Sequence, residues 1–251
     1  MTPAELRSGF AVFDAMMVTL GDRVSADILQ DFGRPRCKML SNFGVGYNHI
    51  DVEACRSHGV TVSNTPGAVT DATADIAMTL ILMACRRAGE AERLVRSGKW
   101  DGWHPTQLLG LHVTGLKLGV IGMGRIGQAV ARRCHFGFGM EVGYFSRSQK
   151  DLAFPAARKD TLEDLAGWAD VLVVATPASP ETRHLVNEQV FGAMKPHAVF
   201  VNIARGDIVD EAALIAALQS RQIGAAGLDV YEDEPKVPAA LLKLENAVLL
   251  P

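Results

Sequence analysis

The stretch that decides the fold class is Leu118-Gly-Val-Ile-Gly122-Met-Gly124-Arg-Ile-Gly127-Gln-Ala-Val-Ala131. Its glycines are spaced G-x-G-x-x-G and lie directly between a β-branched run and a helical pattern. In that context Gly122 permits a tight turn, Gly124 lets the backbone approach a pyrophosphate, and Gly127 lets the helix pack closely on the strand. The N-terminus of the helix offers unpaired N–H groups to the phosphates. The stretch therefore predicts a dinucleotide-binding turn, and the alternative is a glycine-rich turn without a ligand.

On both sides of this turn, short apolar runs alternate with helical patterns. We predict strands at residues 118–121, 142–145, 171–175, 199–203 and 247–250. We predict helices at residues 126–134, 162–168, 188–194 and 211–218. Continuous apolar runs are typical of strands buried on both faces, as in a parallel sheet covered by helices. Residues 115–251 are therefore predicted to form a doubly wound parallel sheet of the Rossmann type in the α/β class.

The first 70 residues show the same alternation in a weaker form. Strands are predicted at residues 15–20 and 38–42, helices at 25–32 and 52–58, and a third strand within 59–67. A helical pattern then runs from 71 to 96, and as one helix it would span about 39 Å. Such a helix could connect two domains or belong to one core. We therefore assign residues 1–70 to a smaller domain and 71–251 to the dinucleotide-binding domain.

Length, charge and cysteine spacing exclude several classes of protein. The 251 residues carry a net charge of −3 and are 48% hydrophobic, a composition that excludes a disordered or fibrous chain. The charge balance also gives no indication of a basic surface that would bind nucleic acid or a membrane. The four cysteines, Cys37, Cys55, Cys85 and Cys134, form no C-x-x-C pair, so we expect buried, reduced thiols and no metal site. There is no secretory signal pattern, and no apolar run is long enough to span a bilayer. We expect a cytoplasmic protein.

The end of the strand at 142–145 bears on the choice of dinucleotide. An NAD site uses an Asp or Glu there to bind the ribose 2′-hydroxyl, but this strand ends Tyr144-Phe145-Ser146-Arg147-Ser148. Ser146 and Ser148 can form hydrogen bonds, and Arg147 can pair with a 2′-phosphate. A carboxylate would repel that phosphate by roughly 4 kcal/mol at an effective dielectric of 20. The tip favours NADP(H), with NAD(H) as the alternative if Arg147 is only a solvated charge.

Five blocks together resemble the D-isomer-specific 2-hydroxyacid dehydrogenases. They are Asn42-Phe-Gly-Val-Gly-Tyr-Asn-His-Ile-Asp51, Ser63-Asn-Thr-Pro-Gly67, Gly122-Met-Gly-Arg-Ile-Gly127, Asn202-Ile-Ala-Arg-Gly206 and Gly227-Leu-Asp-Val-Tyr-Glu-Asp-Glu-Pro235. They follow the family's order and spacing, and the Ser-Arg-Ser tip is most similar to the glyoxylate/hydroxypyruvate reductase branch, which uses NADPH. The resemblance implies hydride transfer between NADP(H) and a small 2-oxo or 2-hydroxy acid, and a flavodoxin-like substrate domain in residues 1–70. A relative acting on formate, phosphite or another 2-hydroxy acid is the alternative within this family.

The resemblance also implies roles for single residues. Arg205 binds the substrate carboxylate and polarises the carbonyl, and its planar fork suits that task. The backbone N–H groups of Val45 and Gly46 bind the same carboxylate. Asp229 contacts the nicotinamide carboxamide. The cofactor contacts are Gly122, Met123, Gly124, Arg125, Ile126, Gly127, Ser146, Arg147, Ser148, Thr176, Pro177, Ile203, Ala204 and Asp229.

Glu234 matches the family glutamate that hydrogen-bonds the catalytic histidine, a contact that favours the protonated imidazole. Its neighbours Glu232 and Asp233 are expected to be solvated. In the family the histidine directly follows Leu-Leu-Pro, and this chain ends Leu249-Leu250-Pro251. The histidines present are His49, His58, His104, His112, His135, His184 and His197, and none lies at the matching place.

From these ends we expect a fragment of a longer reductase, without the first strand–helix unit and the last segment of the substrate domain. The alternative is an NADP(H)-binding module that has lost its general acid, which typically lowers the rate 10²–10⁴-fold. Residues 71–96 and 100–111 are similar to the family's dimer-forming region, so a homodimer is expected.

Overall fold

The computed structural model describes all 251 residues, which divide into two compact units, Met1–Val69 and Thr70–Pro251. The elements of the first unit are α1 (Pro3–Val12), β1 (Ala15–Val18), α2 (Ala26–Leu29), β2 (Met39–Asn42), α3 (Val52–Ser57) and β3 (Thr61–Ser63). Its strands form a parallel sheet in the order β1-β2-β3. Helix α1 was not predicted, although Leu6 and Phe10, spaced by four and fully buried, mark its inner face.

The second unit is built around a larger sheet. Its helices are α4 (Thr70–Cys85), α5 (Ala88–Arg96), α6 (Arg125–Phe138), α7 (Leu162–Trp168), α8 (Glu188–Ala193), α9 (Glu211–Gln219) and α10 (Ala239–Leu242). Its strands are β4 (Lys117–Ile121), β5 (Glu141–Phe145), β6 (Ala156–Arg158), β7 (Val171–Val174), β8 (Val199–Asn202), β9 (Ala225–Leu228) and β10 (Ala247–Leu249). All seven strands are parallel, in the order β6-β5-β4-β7-β8-β9-β10. The predicted doubly wound sheet is confirmed.

Both faces of this sheet are covered, as the continuous apolar runs indicated. Along β7, Val171 and Val173 belong to one apolar cluster with residues of α4 and α6. Leu172 and Val174 belong to a second cluster with residues of α7, α8 and α9. Successive side chains of a strand point to opposite faces, so this strand is fully buried without any polar face. No helix in the structure combines the length and the apolar character needed to cross a membrane.

Two strands, β6 and β9, were missed in the sequence. Strand β9 reads Ala-Ala-Gly-Leu, which lacks the β-branched residues that mark the other strands. A Cβ on Gly227 would lie 2.8 Å from Cβ of Leu80, so small residues let α4 pack directly on this strand. Strand β6 is a three-residue edge strand, also rich in alanine.

The helix predicted from 71 to 96 was wrong, because the chain forms two helices there. Helix α4 ends at Cys85, and Arg87 adopts a left-handed backbone with a φ of 53°. The carbonyl of Cys85 accepts a hydrogen bond from the N–H of Leu111 at 2.8 Å instead of continuing a helix. Gly110 lets that loop approach, since a Cβ there would lie 2.2 Å from the Cys85 oxygen.

Candidate functional site

The strand order places a crevice at the carboxyl ends of β4 and β7. The chain leaves β4 toward β5 and β6 on one side and returns to β7 and β8 on the other, and ligands of open α/β sheets bind at such switch points. Gly122 follows β4, Thr176 follows β7, Arg205 follows β8 and Asp229 follows β9. The sheet therefore brings most of the predicted cofactor residues to one edge.

The three glycines after β4 differ in what surrounds them. Gly122 has a φ of 95°, and a Cβ there would lie 2.7 Å from the backbone N of Thr176. A Cβ on Gly127 would lie 2.2 Å from the Gly122 oxygen, whereas no atom lies within 4 Å of the corresponding point on Gly124. Gly124 is also the N-cap of α6 and offers no side chain to its first N–H groups. The residues present therefore fit a dinucleotide pyrophosphate, with open space where the phosphates would approach.

The tip of β5 is more cationic than its sequence alone indicated. Ser146 Oγ donates to the Ser148 carbonyl at 2.6 Å, and Lys150 Nζ donates to Ser148 Oγ at 2.9 Å. Arg158 Nε donates to the Ser146 carbonyl at 3.2 Å. Arg147 is exposed beside them. Lys150 and Arg158 were missed, the second because it reaches the tip only through the pairing of β6 with β5, where Arg158 lies opposite Tyr144.

One carboxylate lies within electrostatic reach of this tip. Glu181 belongs to the 3-10 turn Pro180–Thr182 that follows β7. A hydrogen bond from Ser179 lowers the pKa of Glu181, and the charge of Arg147 lowers it further. Glu181 is therefore ionised at neutral pH.

Arg205 follows β8 in a loop that a buried amide holds in place. Asn202 is 1% exposed, its Nδ2 donates to the Arg205 carbonyl at 2.9 Å, and its Oδ1 accepts from the N–H of Ala204 at 3.1 Å. Nη1 of Arg205 donates to the Ala204 carbonyl at 2.7 Å. Asn202 was not among the predicted site residues, although it stands in the same block as Arg205. The half-buried guanidinium is therefore held on a fixed loop.

The segment after β9 packs against the Arg205 loop. The N–H of Asp229 donates to the carbonyl of Asn202 at 3.0 Å. Burial raises the pKa of Asp229, and the nearby Glu234 raises it further. The N–H of Tyr231 donates to Glu234 Oε1 at 3.0 Å, and the Tyr231 hydroxyl donates to the Leu250 carbonyl at 2.7 Å. Tyr231 therefore links the Glu234 turn to the end of β10.

Glu232 is exposed, as expected of a solvated side chain, and it also forms ion-pair contacts. Its Oε1 lies 2.9 Å from His184 Nε2 and 3.4 Å from Arg183 Nη2, and its side chain is 30% exposed. The N–H of His184 donates to the carbonyl of Asp207 at 2.9 Å, which holds this loop beside the Glu232 segment. Asp233 is also exposed, and its carboxylate pairs with Lys236 at 3.6 Å.

Val45 and Gly46 lie in the first unit, in the loop after β2. The carbonyls of Gly44, Val45 and Gly46 each accept a hydrogen bond from an asparagine amide, of Asn42 or Asn64. The N–H groups of Val45 and Gly46 donate to no backbone carbonyl. This loop therefore presents donors, as an anion site requires. No group of three or more His, Cys, Asp and Glu side chains is arranged to hold a metal ion.

Comparison with known proteins gives the family. The NAD-binding domain of the D-isomer specific 2-hydroxyacid dehydrogenases matches residues 78–251. The chain is 45% identical to a glyoxylate reductase from Thermococcus kodakarensis over 248 residues, 95% of this chain and 72% of that protein.

Solved structures agree with this match. An NADPH-dependent glyoxylate/hydroxypyruvate reductase from Sinorhizobium meliloti, in complex with NADP and malonate, superimposes with a TM-score of 0.90 at 36% identity, over 100% of this chain and 76% of that chain. The TT0316 protein from Thermus thermophilus superimposes with a TM-score of 0.89 at 42% identity, over 99% of this chain and 78% of that chain. The resemblance noted in the sequence is confirmed, and this chain belongs to the D-isomer specific 2-hydroxyacid dehydrogenase family.

Proposed function

We propose that the protein is an NADPH-dependent reductase of small 2-oxo acids, of the glyoxylate or hydroxypyruvate type. The observation that carries the proposal is the tip of β5, where Arg147, Lys150 and Arg158 surround two serines and the strand itself ends without a carboxylate. A 2′-phosphate needs such cations, and a 2′-hydroxyl does not. The glyoxylate reductase from Thermococcus kodakarensis and the NADP-bound reductase from Sinorhizobium meliloti support the substrate class.

Different residues of the chain bind different parts of the cofactor. NADPH, when bound, supplies the hydride that reduces the carbonyl carbon. Gly124 and the first N–H groups of α6 bind the pyrophosphate, and Ser146, Arg147 and Ser148 bind the 2′-phosphate. Asp229 orients the nicotinamide through its carboxamide. Thr176 and Ala204 follow neighbouring strands and line the same edge of the sheet.

Other residues bind and polarise the substrate. The family resemblance assigns carboxylate binding to the N–H groups of Val45 and Gly46. It assigns to Arg205 pairing with a carboxylate and polarisation of the carbonyl oxygen, where negative charge develops. Glu234 would favour the protonated form of an imidazole placed beside it, because a neighbouring carboxylate stabilises the charged form. None of the seven histidines of this chain lies at the position from which the family donates the proton to the oxygen.

The cofactor proposal is tested by titrating NADPH and NADH into the protein and into Arg147→Ser. We expect NADPH to bind the wild type more tightly than NADH. We expect Arg147→Ser to weaken the binding of NADPH about tenfold, since one charge-assisted contact is lost. The affinity for NADH should stay unchanged. Arg34→Ser, at an exposed arginine of the first unit, is the control. Equal affinity for both cofactors in the wild type would contradict the proposed preference.

A second candidate function is an NADP(H)-binding module without turnover. It is favoured by one observation: the hydrogen bond to Glu234 comes from Tyr231, and the histidine nearest this segment, His184, pairs with Glu232 instead. Following glyoxylate-dependent oxidation of NADPH at 340 nm distinguishes the two. Binding of NADPH without oxidation favours the module, and oxidation that Arg205→Ala abolishes favours the reductase.

We also infer a homodimer formed through α5 and residues 100–111. Trp103 and Leu109 in this region are 79% and 65% exposed, and Trp100 is 53% exposed. Exposed aromatic and aliphatic side chains in one region are typical of protein–protein contacts. Light scattering coupled to size-exclusion chromatography tests the inference, and a single monomer peak would contradict it.

A further inference from the structure

The loop that carries Val45 and Gly46 is held by two asparagines that the proposed function does not use. Asn42 Nδ2 donates to the carbonyls of Gly44 and Gly46, both at 2.9 Å. Asn64 Nδ2 donates to the carbonyl of Val45 at 2.8 Å. Three successive carbonyls of the loop are therefore fixed by side-chain amides.

Fixing these carbonyls also fixes the N–H groups that follow them. A peptide unit is planar and trans, so the N–H of each residue points opposite to the carbonyl of the residue before it. The contact from Asn42 to the Gly44 carbonyl, together with one from the N–H of Thr65 at 3.1 Å, therefore sets the direction of the Val45 N–H. The contact from Asn64 to Val45 sets the direction of the Gly46 N–H. Each N–H points away from the amide that holds the preceding carbonyl.

Asn42 holds these carbonyls although its own side-chain oxygen lacks a hydrogen bond, which lowers the stability of the fold. It is 0% exposed, and its Oδ1 is buried without a hydrogen-bond partner. Turning the amide over would place Oδ1 against two carbonyl oxygens, so the two contacts decide its orientation. A buried acceptor without a partner destabilises a fold, and a residue needed only for packing would avoid it.

We propose that Asn42 and Asn64 are positioning residues that aim the N–H groups of Val45 and Gly46 at the carboxylate of the 2-oxo acid. The inference rests on the proposed function and deepens it. A carboxylate gains most from donors held in place before it binds, because no ordering of the loop then opposes binding. Loss of the Asn64 amide frees the Val45 carbonyl, and with it the direction of the Gly46 N–H. Loss of the Asn42 amide frees the Gly46 carbonyl and leaves the Gly44 carbonyl held by the Thr65 N–H alone, so the Val45 N–H is aimed less firmly.

The chain offers a matched control in Asn246. It is also buried, at 8% exposure, and its Nδ2 also donates to two backbone carbonyls, of Leu218 and Gly224, at 3.3 and 3.2 Å. It lies in the second unit, where Gly224 and Asn246 precede the first residues of β9 and β10. Asn246 therefore shares the chemistry of Asn42 at the edge of the sheet opposite the site.

The test measures binding of oxamate, a 2-oxo acid analogue, to the NADPH-loaded protein by calorimetry, in the wild type, Asn42→Ala, Asn64→Ala and Asn246→Ala. We expect Kd for oxamate to rise about tenfold or more in Asn42→Ala and Asn64→Ala, and Kd for NADPH to stay unchanged. Asn246→Ala is expected to lower the urea midpoint and leave both Kd values unchanged. If Asn42→Ala does not fold, Asn64→Ala carries the test, because its side chain is only half-buried.

The outcomes separate this inference from the proposed function. If the wild type binds oxamate and neither Asn42→Ala nor Asn64→Ala weakens that binding, the positioning role is overturned. The proposed function is then unaffected. Equal weakening in Asn246→Ala would show a general loss of structure and would also overturn it. No binding of oxamate to the wild-type complex would overturn the proposed function, and the positioning role with it.

Discussion

Gly206 follows Arg205 at a point where the backbone leaves no room for a side chain. A Cβ there would lie 1.9 Å from the carbonyl carbon and oxygen of Tyr231 and 2.3 Å from the N of Glu232. These are backbone atoms and cannot swing aside. The absence of one methyl group at Gly206 is therefore what allows the Arg205 loop to contact the segment that carries Glu234.

We expect Gly206→Ala to lower the free energy of unfolding by about 3 kcal/mol, at the upper end of the range for overpacking, and to reduce activity because Arg205 is displaced. Urea denaturation and the rate of NADPH oxidation measure the two effects. Gly192→Ala, in α8, is the control, since no atom lies within 4 Å of its Cβ position. If Gly206→Ala had the same free energy of unfolding as the wild type, the close approach of Gly206 to the backbone of Tyr231 and Glu232 would be contradicted.

Single residues also mark the limit of what the sequence predicts. Motif spacing gave the positions of Gly122 and Arg205, because a turn and a strand end are local features. It did not give the pairing of His184 with Glu232, residues 48 positions apart, because that contact depends on how two loops meet. Arg158 was missed for the same reason.

Helix α6 contains two glycines near its end with opposite roles. Gly137 lies within the helix, is exposed, and has no atom within 4 Å of its Cβ position. Gly139 caps the helix with a φ of 60°, and its N–H donates to the carbonyls of Cys134 and His135. Glycine disfavours a helix interior but favours a left-handed cap.

We therefore expect Gly137→Ala to raise the free energy of unfolding by about 0.5–1 kcal/mol, and Gly139→Ala to lower it by about 1 kcal/mol. Urea denaturation of the two variants, which carry the same added methyl group, is the measurement. A change of the same sign in both would refute this assignment of the helix end.

Asp170 joins three strands of the sheet at the edge away from the site. Its carboxylate accepts from the N–H of Lys117 at 2.9 Å, from Lys195 at 2.7 Å and from His197 at 3.1 Å. Burial alone would raise the pKa of Asp170, but these contacts outweigh it and hold the pKa below its ordinary value. The ionised carboxylate therefore stabilises the starts of β4, β7 and β8.

We expect Asp170→Asn to lower the free energy of unfolding by about 2 kcal/mol at pH 7. Because the folded pKa is depressed, this stabilisation is present above the unfolded pKa of about 4 and is lost as the pH falls through the folded value. The difference between wild type and variant, measured by urea denaturation, should shrink below pH 4. Asp14→Asn, in an exposed pair with Arg36, is the control, and a difference constant with pH would argue against this account.

In the larger sheet, the strands with apolar, β-branched runs were predicted, and the two strands built mainly of small residues were not. Strands β4, β5, β7, β8 and β10 follow the predicted positions within one or two residues. Strand β9 is built of small residues because α4 packs on it. The break at Arg87 depends on a loop more than 20 residues away, which no local periodicity reveals.

At the scale of the whole molecule, each unit has its own buried core with cysteines in it. Cys37 and Cys55 are fully buried in the first unit, and Cys85 and Cys134 in the second. All four are free thiols, as the sequence predicted. Burial raises the pKa of Cys55 to about 11 and those of Cys85 and Cys134 to about 12.

We expect none of the four thiols to react with a disulfide reagent in the native protein until the core around it opens, because reaction requires an exposed thiolate. Mass spectrometry of labelled peptides follows each thiol separately, so Cys55 reports opening of the first unit and Cys134 opening of the second. Protein in urea is the control, and all four should react there. Labelling of any of them within seconds in the native state would contradict its burial.

If the cationic tip of β5 binds the 2′-phosphate as proposed, the salt concentration of the solution should affect which cofactor the protein prefers. Arg147 and Arg158 are exposed, so their attraction for a phosphate is screened by dissolved ions, over a Debye length of about 10 Å at 0.1 M ionic strength. Hydrogen bonds to a ribose hydroxyl are far less sensitive to salt. Under the proposed function, we therefore expect the ratio of the affinities for NADPH and NADH to fall as ionic strength rises and to be greatest in dilute buffer.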